Sequence, residues 1–354
     1  MSSKLKYWTF ITLFTLGTLE ILFRLFGLYQ TYTESIGMGY QSYFNNVSPN
    51  FYHTWQPDDT FILDHNDFAI PYQTNELGLR EIPLDSFAMK SADGFRILAF
   101  GDSFTEGVGA DYENSWPRYL EKLLRQSGTD VHIFNAGVNG SDPFFEYVLF
   151  RDKLKAVHPQ LVIVAINSSD VDDYHFRGGM ERFQTDGMVI NRKGPWYEPL
   201  YEHSYVFRFV VEMVLGMKPQ LFITPKQYQK VMDDFVRQTA LLMEEFKKLL
   251  PDPGKLLVVV FPAPREVYDD ADKNMKGNLL RLLAEVKSRG VDTLSLYRQF
   301  ESEITEKNLP EYTYKNDGHF KPKGYLQFAK FLAPVVDSLL YHTQEDTPAI
   351  SRRL

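Results

Sequence analysis

Ile97, Leu98, Ala99 and Phe100 form an unbroken apolar run that stops abruptly at Gly101-Asp102-Ser103. A short run without polar alternation suits a strand buried on both faces, as in a parallel sheet covered by helices. Similar runs return at Asp130 to Val138, Leu161 to Ile166, Lys255 to Phe261 and Val291 to Tyr297. Helical patterns lie between and after them, at Lys226 to Leu250, Asn274 to Gly290 and Tyr325 to Tyr341. Strand and helix in alternation predict an α/β fold, a three-layer flavodoxin-like sandwich built on a parallel sheet. No Gly-x-Gly-x-x-Gly and no Gly-Lys-Ser/Thr loop follows any of these strands, which disfavours a nucleotide site.

Open α/β sheets bind ligands in the crevice at the carboxyl ends of their strands, so Ser103 would stand at the mouth of a site. Two readings compete there. Asp102 or Ser103 could simply cap the next helix, or Ser103 could be a nucleophile, which needs a base and a carboxylate to orient that base. Asp317 and His319 lie two residues apart in Tyr314-Lys-Asn-Asp-Gly-His-Phe, ahead of the last helical pattern. A short glycine-containing loop can present both side chains together. Two further turns follow strands: Asn135-Ala-Gly-Val-Asn-Gly-Ser-Asp142 and Asn167-Ser-Ser-Asp170. Accessible amides or Asn side chains at strand ends can serve a developing oxyanion, although the same residues make ordinary turns.

Together these four blocks resemble the SGNH hydrolase superfamily, the GDSL-like esterases and lipases, over residues 94–345. The resemblance implies the SGNH hydrolase fold, with Ser103 as nucleophile and its amide as an oxyanion donor. It implies Gly140 as a second donor, with Gly137 less favoured, and Asp317 and His319 as base orienter and general base. It calls for no cofactor and no metal. Two positions depart from the family pattern. The third block usually reads Gly-x-Asn-Asp, but Ser169 precedes Asp170 here, and Asn167 lies two residues earlier. Either Ser169 donates through its hydroxyl, or Asn167 reaches in from a shifted turn, or the oxyanion hole is weak. Many members also carry Asp-x-x-His, which would put the orienting residue at Asn316; a carboxylate stabilises imidazolium and Asn does not, so Asp317 is the better choice.

Tyr7 to Tyr29 is strongly apolar, interrupted only by Glu20 and Arg24. At ~1.5 Å per residue it can cross a bilayer core of ~30 Å. Glu20 and Arg24 are four apart and can pair on one helix face. Lys4 and Lys6 precede the run and favour a cytoplasmic N-terminus with the body exported. No small-residue cleavage site follows, so residues 1–30 read as an uncleaved anchor rather than a removed signal peptide; a buried amphipathic helix is the competing reading. Residues 31–93 read as a connecting segment packed on the catalytic domain, whose Thr74-Asn-Glu-Leu-Gly-Leu-Arg80 run resembles a stretch preceding the serine block in membrane-anchored bacterial SGNH proteins. The hydrolase-like domain at 94–345 carries an aromatic insertion at 171–225, either a lid and binding wall or the core of a small subdomain, and 346–354 is a polar tail.

A formal net charge of -8 offers no basic field for nucleic acid. The chain has no cysteine, and its eight histidines do not cluster as metal ligands. The leading expectation is a serine esterase that hydrolyses or transfers a small acyl group, acetyl first, on an envelope or exported carbohydrate. The alternatives are a lipase or lysophospholipase, supported by membrane position alone, and an inactive glycan-binding or scaffold domain, kept open by the altered third block.

Overall fold

The computed structural model describes residues 3–31, 54–81, 94–184, 187–188, 195–218, 221–267 and 273–345. The expected polar tail at 346–354 lies outside them. The chain divides into two compact units, one of residues 46–190 with 232–354, the other of residues 1–45 with 191–231.

The larger unit opens with an antiparallel hairpin, β1 (Thr60–His65) and β2 (Phe68–Gln73). The main strands follow: β3 (Phe95–Phe100), β4 (Val131–Asn135) and β5 (Leu161–Ile166). After a minor pair, β6 (Phe183–Gln184) and β7 (Gly187–Met188), come β8 (Lys255–Val260) and β9 (Asp292–Ser295). The five main strands form one sheet in the order β4-β3-β5-β8-β9, every pair parallel. From β3 the chain moves to β4 on one side and then to β5 on the other. That reversal opens the crevice at the carboxyl end of β3 where such sheets hold ligands.

Strand alternation sends neighbouring residues to opposite faces. Ile97 and Ala99 join Ile133, Ile163 and Val259 in a core with Trp116, Leu120, Tyr325, Phe328 and Leu332. These last five belong to helices Trp116–Gln126 and Pro322–Glu345, which cover that face. On the other face Phe100 meets Phe150 and Phe246 edge-on at ring separations of 6.3 and 5.8 Å. All six residues of β5 are buried, which is why its sequence carries no polar alternation. The three-layer sandwich expected from the apolar runs is the observed architecture.

Residues 191–231, of which 191–225 were read from sequence as part of an insertion in the hydrolase-like domain, fall in one unit with the N-terminal helix. That helix, α1, spans Ser3–Phe26. Of the aromatics in the insertion, Tyr201 is fully buried with Val211, and Phe207, Met217 and Phe222 pack against them. Trp196 is 87% exposed.

Candidate active site

The turn after β3 is shaped by what cannot fit there. A Cβ on Gly101 would lie 2.1 Å from Thr105 Oγ1 and 3.0 Å from the Ala165 carbonyl, so the chain turns where only glycine fits. Asp102 then caps the short helix Ser103–Glu106, its Oδ1 accepting from Phe104 N–H at 2.9 Å. Capping falls to Asp102, and Ser103 is left for another partner. Ser103 Oγ stands 2.7 Å from His319 Nε2. On the other side of the ring, His319 Nδ1 lies 2.5 Å from Asp317 Oδ1, which also accepts the His319 backbone N–H at 3.0 Å. Phe104 packs beside the imidazole at 4.9 Å between ring centroids. Burial pushes the Asp317 carboxyl up, but its hydrogen bonds with His319 and the histidine's charge outweigh burial and hold it below the ordinary carboxylate range. Serine, imidazole and carboxylate thus form one hydrogen-bonded line spanning 216 residues of sequence from Ser103 to His319.

The second block lies against this turn. Val138 N–H donates to the Gly101 carbonyl at 3.0 Å, and Gly137 N–H to Asn135 Oδ1 at 2.9 Å. The Gly137 amide is therefore already engaged. Among the described residues no acceptor bonds the amide N–H of Ser103 or of Gly140. Gly140 sits at φ 66°, a left-handed conformation that favours glycine, and a Cβ there would meet only the end of the Arg177 side chain, at 2.6 Å from Nη2.

The third block differs from a simple strand end. β5 stops at Ile166, and Ser169 already begins the helix Ser169–Arg177, so strand alternation does not set the directions of residues 167 and 169. Both side chains nevertheless reach one acceptor. Asn167 Nδ2 donates to Asp102 Oδ2 at 2.9 Å, and Ser169 Oγ lies 2.8 Å from the same oxygen. Ser169 Oγ also stands 2.7 Å from Asn167 Oδ1.

The profile of the GDSL-like lipase/acylhydrolase family matches residues 99–326, more than half of the chain. The chain belongs to this family. An arylesterase of Vibrio mimicus is 28% identical over 75 residues, which is 21% of this chain and 38% of that protein, so the match spans well under half the relative's length. An acetyl xylan esterase, AlAXEase, aligns at a TM-score of 0.44 and 16% identity, covering 68% of this chain and all of the other. The acetylxylan esterase Axe2 of Geobacillus stearothermophilus aligns at 0.43 and 15%, covering 68% of this chain and 93% of that one.

The GDSL-like match begins at residue 99, yet several side chains around the site come from the segment before it, and reading the sequence missed them. Asp67, in the turn of the β1–β2 hairpin, accepts backbone N–H groups of Asn316 and Asp317 at 2.8 and 2.9 Å and the Asn316 side-chain amide at 2.8 Å. His65 Nε2 lies 3.7 Å from Asp317 Oδ2, the carboxylate oxygen turned away from His319. Arg80 donates to the carbonyls of Gly107 and Ala110 at 2.8 and 2.7 Å while its guanidinium lies 3.8 Å from the centre of the Tyr72 ring. Trp55 Nε1 donates to Glu106 Oε1 at 2.9 Å. Asn139 N–H donates to the other oxygen of that carboxylate at 2.7 Å. A connecting segment packed on the catalytic domain was expected of residues 31–93. Which of its polar residues would meet the loops is decided by tertiary approach, to which local pattern is blind.

Around Asp102 gathers a buried acidic group of Asp142, Glu146, Asp170 and Asp173, with Arg177 and Arg182. Burial, reinforced by neighbouring carboxylates, raises Glu146 and Asp170 well above the ordinary range. Burial likewise carries Asp173 up to about 8 despite Arg177 beside it, and brings Arg182 down to about 9. Asp170 Oδ2 accepts the Asn167 backbone N–H at 2.7 Å, linking this group to the third block.

Proposed function

We propose that this chain is a serine esterase acting through a covalent acyl-enzyme, with a small acyl group, acetyl first, on an envelope or exported carbohydrate as its substrate. The observation that carries the esterase reading is the 2.7 Å contact between Ser103 Oγ and His319 Nε2. Ser103 Oγ attacks the acyl carbonyl carbon while its proton passes to His319 Nε2. Asp317 holds the imidazole in the tautomer that accepts at Nε2 and stabilises the imidazolium that forms. The carbonyl oxygen becomes an oxyanion received by the Ser103 and Gly140 amides. Collapse expels the alcohol, which takes the proton from His319. Water, or an acceptor hydroxyl in transfer, then attacks the acyl carbon by the same route in reverse, and Ser103 is restored.

A third oxyanion donor is assigned to Asn167 in preference to Ser169. An amide nitrogen carries two protons and a hydroxyl one. Asn167 keeps a proton after bonding Asp102, whereas the single Ser169 proton is held between Asp102 and Asn167.

A small acyl group suits a nucleophile that is only 7% exposed, with Phe104 packed against the neighbouring imidazole. The carbohydrate acceptor rests on analogy with the family, the anchor and the aromatic content read from the sequence. The body is assigned to the exported side because Lys4 and Lys6 precede a helix long and apolar enough to span a membrane. The test is turnover of aryl esters of increasing acyl length by the purified chain and by Ser103→Ala. Acetyl esters should be cleaved fastest and Ser103→Ala should be inactive. Preference for long chains would favour a lipase, and an inactive parent would favour a binding domain.

A further inference from the structure

We propose that residues 195–218 form a foot that lies in the apolar boundary of a lipid bilayer, fastened to the end of the N-terminal helix. This rests on reading α1 as a membrane span. Ser3–Phe26 has a mean hydropathy of 1.6 over its best stretch, none of it buried in the protein. At ~1.5 Å per residue it is about 36 Å long, enough for a bilayer core of ~30 Å.

The last turns of α1 are tied to this segment. The Glu20 carboxylate accepts Ser204 Oγ at 2.8 Å and the backbone N–H groups of Tyr205 and Val206 at 3.1 Å each, at the start of the helix Tyr205–Phe209. Arg24 pairs with Glu20 at 2.8 Å and donates to the His203 carbonyl. Further along, Tyr29 Oη and Gln30 Nε2 donate to Glu212 at 2.8 and 2.7 Å. Phe209 packs edge-on against Phe23 and Tyr29. The two charges that interrupt the apolar run are thereby paired and hydrogen-bonded where a span would leave the hydrocarbon, which is where such groups cost least.

The foot spends few of its apolar side chains on a core. Trp196 is 87% exposed, Met213 65%, Val214 66%, Leu200 51% and Leu215 49%. Apolar surface of this kind needs a partner. What covers it follows from where it is fastened, since any bilayer entered by α1 meets the segment tied to the end of α1, and Trp is the residue favoured at that depth. Glu198, Glu202 and Glu212 leave no excess of positive charge over Arg208 and Lys218, so attraction to anionic headgroups is not the driving force.

The chain has no cysteine, so single-cysteine variants carry one spin label each. The full chain is reconstituted in phosphatidylethanolamine and phosphatidylglycerol vesicles, with labels at Phe14→Cys, Trp196→Cys and Met213→Cys and a water-facing control at Lys307→Cys. A circular-dichroism spectrum and a melting midpoint equal to the parent's show that each variant is folded; Leu200→Cys and Val214→Cys replace any that is not. Collisions with oxygen, which partitions into lipid, and with a water-soluble nickel chelate are compared. High oxygen and low chelate access are expected at positions 14, 196 and 213, and the reverse at 307. Chelate access at 196 and 213 with position 14 still shielded would overturn the foot while leaving the span intact. Chelate access at position 14 would overturn the span and the foot with it. Exclusion of both reagents at 196 and 213 would mean a protein contact instead of lipid, and would also overturn the proposal.

Discussion

The carboxylate of Asp67 accepts the backbone N–H of Asp317 at 2.9 Å, joining residues 250 positions apart. The hairpin therefore holds the loop that carries the carboxylate and imidazole. Asp67→Ala should lower kcat with little change in KM, because the loss falls on the alignment of His319 and not on substrate binding. A drop of up to roughly 10²-fold is expected, the scale on which a misplaced catalytic group acts. Asp67→Asn keeps an accepting oxygen and should recover part of it.

Asp317 and Asn316 should separate cleanly. The Asn316 side chain bonds Asp67, whereas the Asp317 side chain bonds His319 Nδ1. Asp317→Asn should cost several orders of magnitude in kcat, the scale on which a triad carboxylate acts. Asn316→Ala should be mild, and steady-state kinetics of both variants on one aryl ester decides it.

For the third block, Asn167→Ala should lower turnover by about two to three orders of magnitude with KM nearly constant. Ser169→Ala should cost less, since its proton is engaged by Asp102 and Asn167. Gly140→Ala should be damaging through the left-handed backbone it would strain. Comparing kcat and KM for the three variants tests the assignment; a larger loss for Ser169→Ala would hand the donor role to the hydroxyl.

The buried acidic group predicts a pH trend in stability. Asp173 is raised from 3.8 to about 8, so the folded state holds a proton that the unfolded state releases. Its contribution is fully present below about pH 4 and is lost as pH rises through about 8. Asp173→Asn removes this titration. Its Tm relative to the parent's should climb across that window and level off above it, as thermal melts over a pH series would show.

The strands and the chemistry-bearing turns were legible because both are local signals. Ile97 to Phe100 and Leu161 to Ile166 are apolar throughout since both their faces are covered, and Gly101-Asp102-Ser103 stands at a strand end because the turn admits nothing larger. Asp317 and His319 could be paired from their spacing. Asp67, His65, Arg80 and Trp55 could not, because hairpin residues look the same in sequence whether or not they meet a distant loop. The third block was half legible. Asn167 and Ser169 both reach the Asp102 carboxylate, but their directions are set by a helix that begins at Ser169 and not by the strand before it.

If His319 activates Ser103 as a nucleophile, Ser103 reacts covalently with a fluorophosphonate. The purified chain is treated with a fluorophosphonate and the adduct located by mass spectrometry of its peptides. One adduct is expected, on Ser103, absent in Ser103→Ala and strongly slowed in His319→Ala. An unmodified Ser103 in folded protein, or labelling whose rate does not change when His319 is replaced, would mean that Ser103 is not a nucleophile activated by His319.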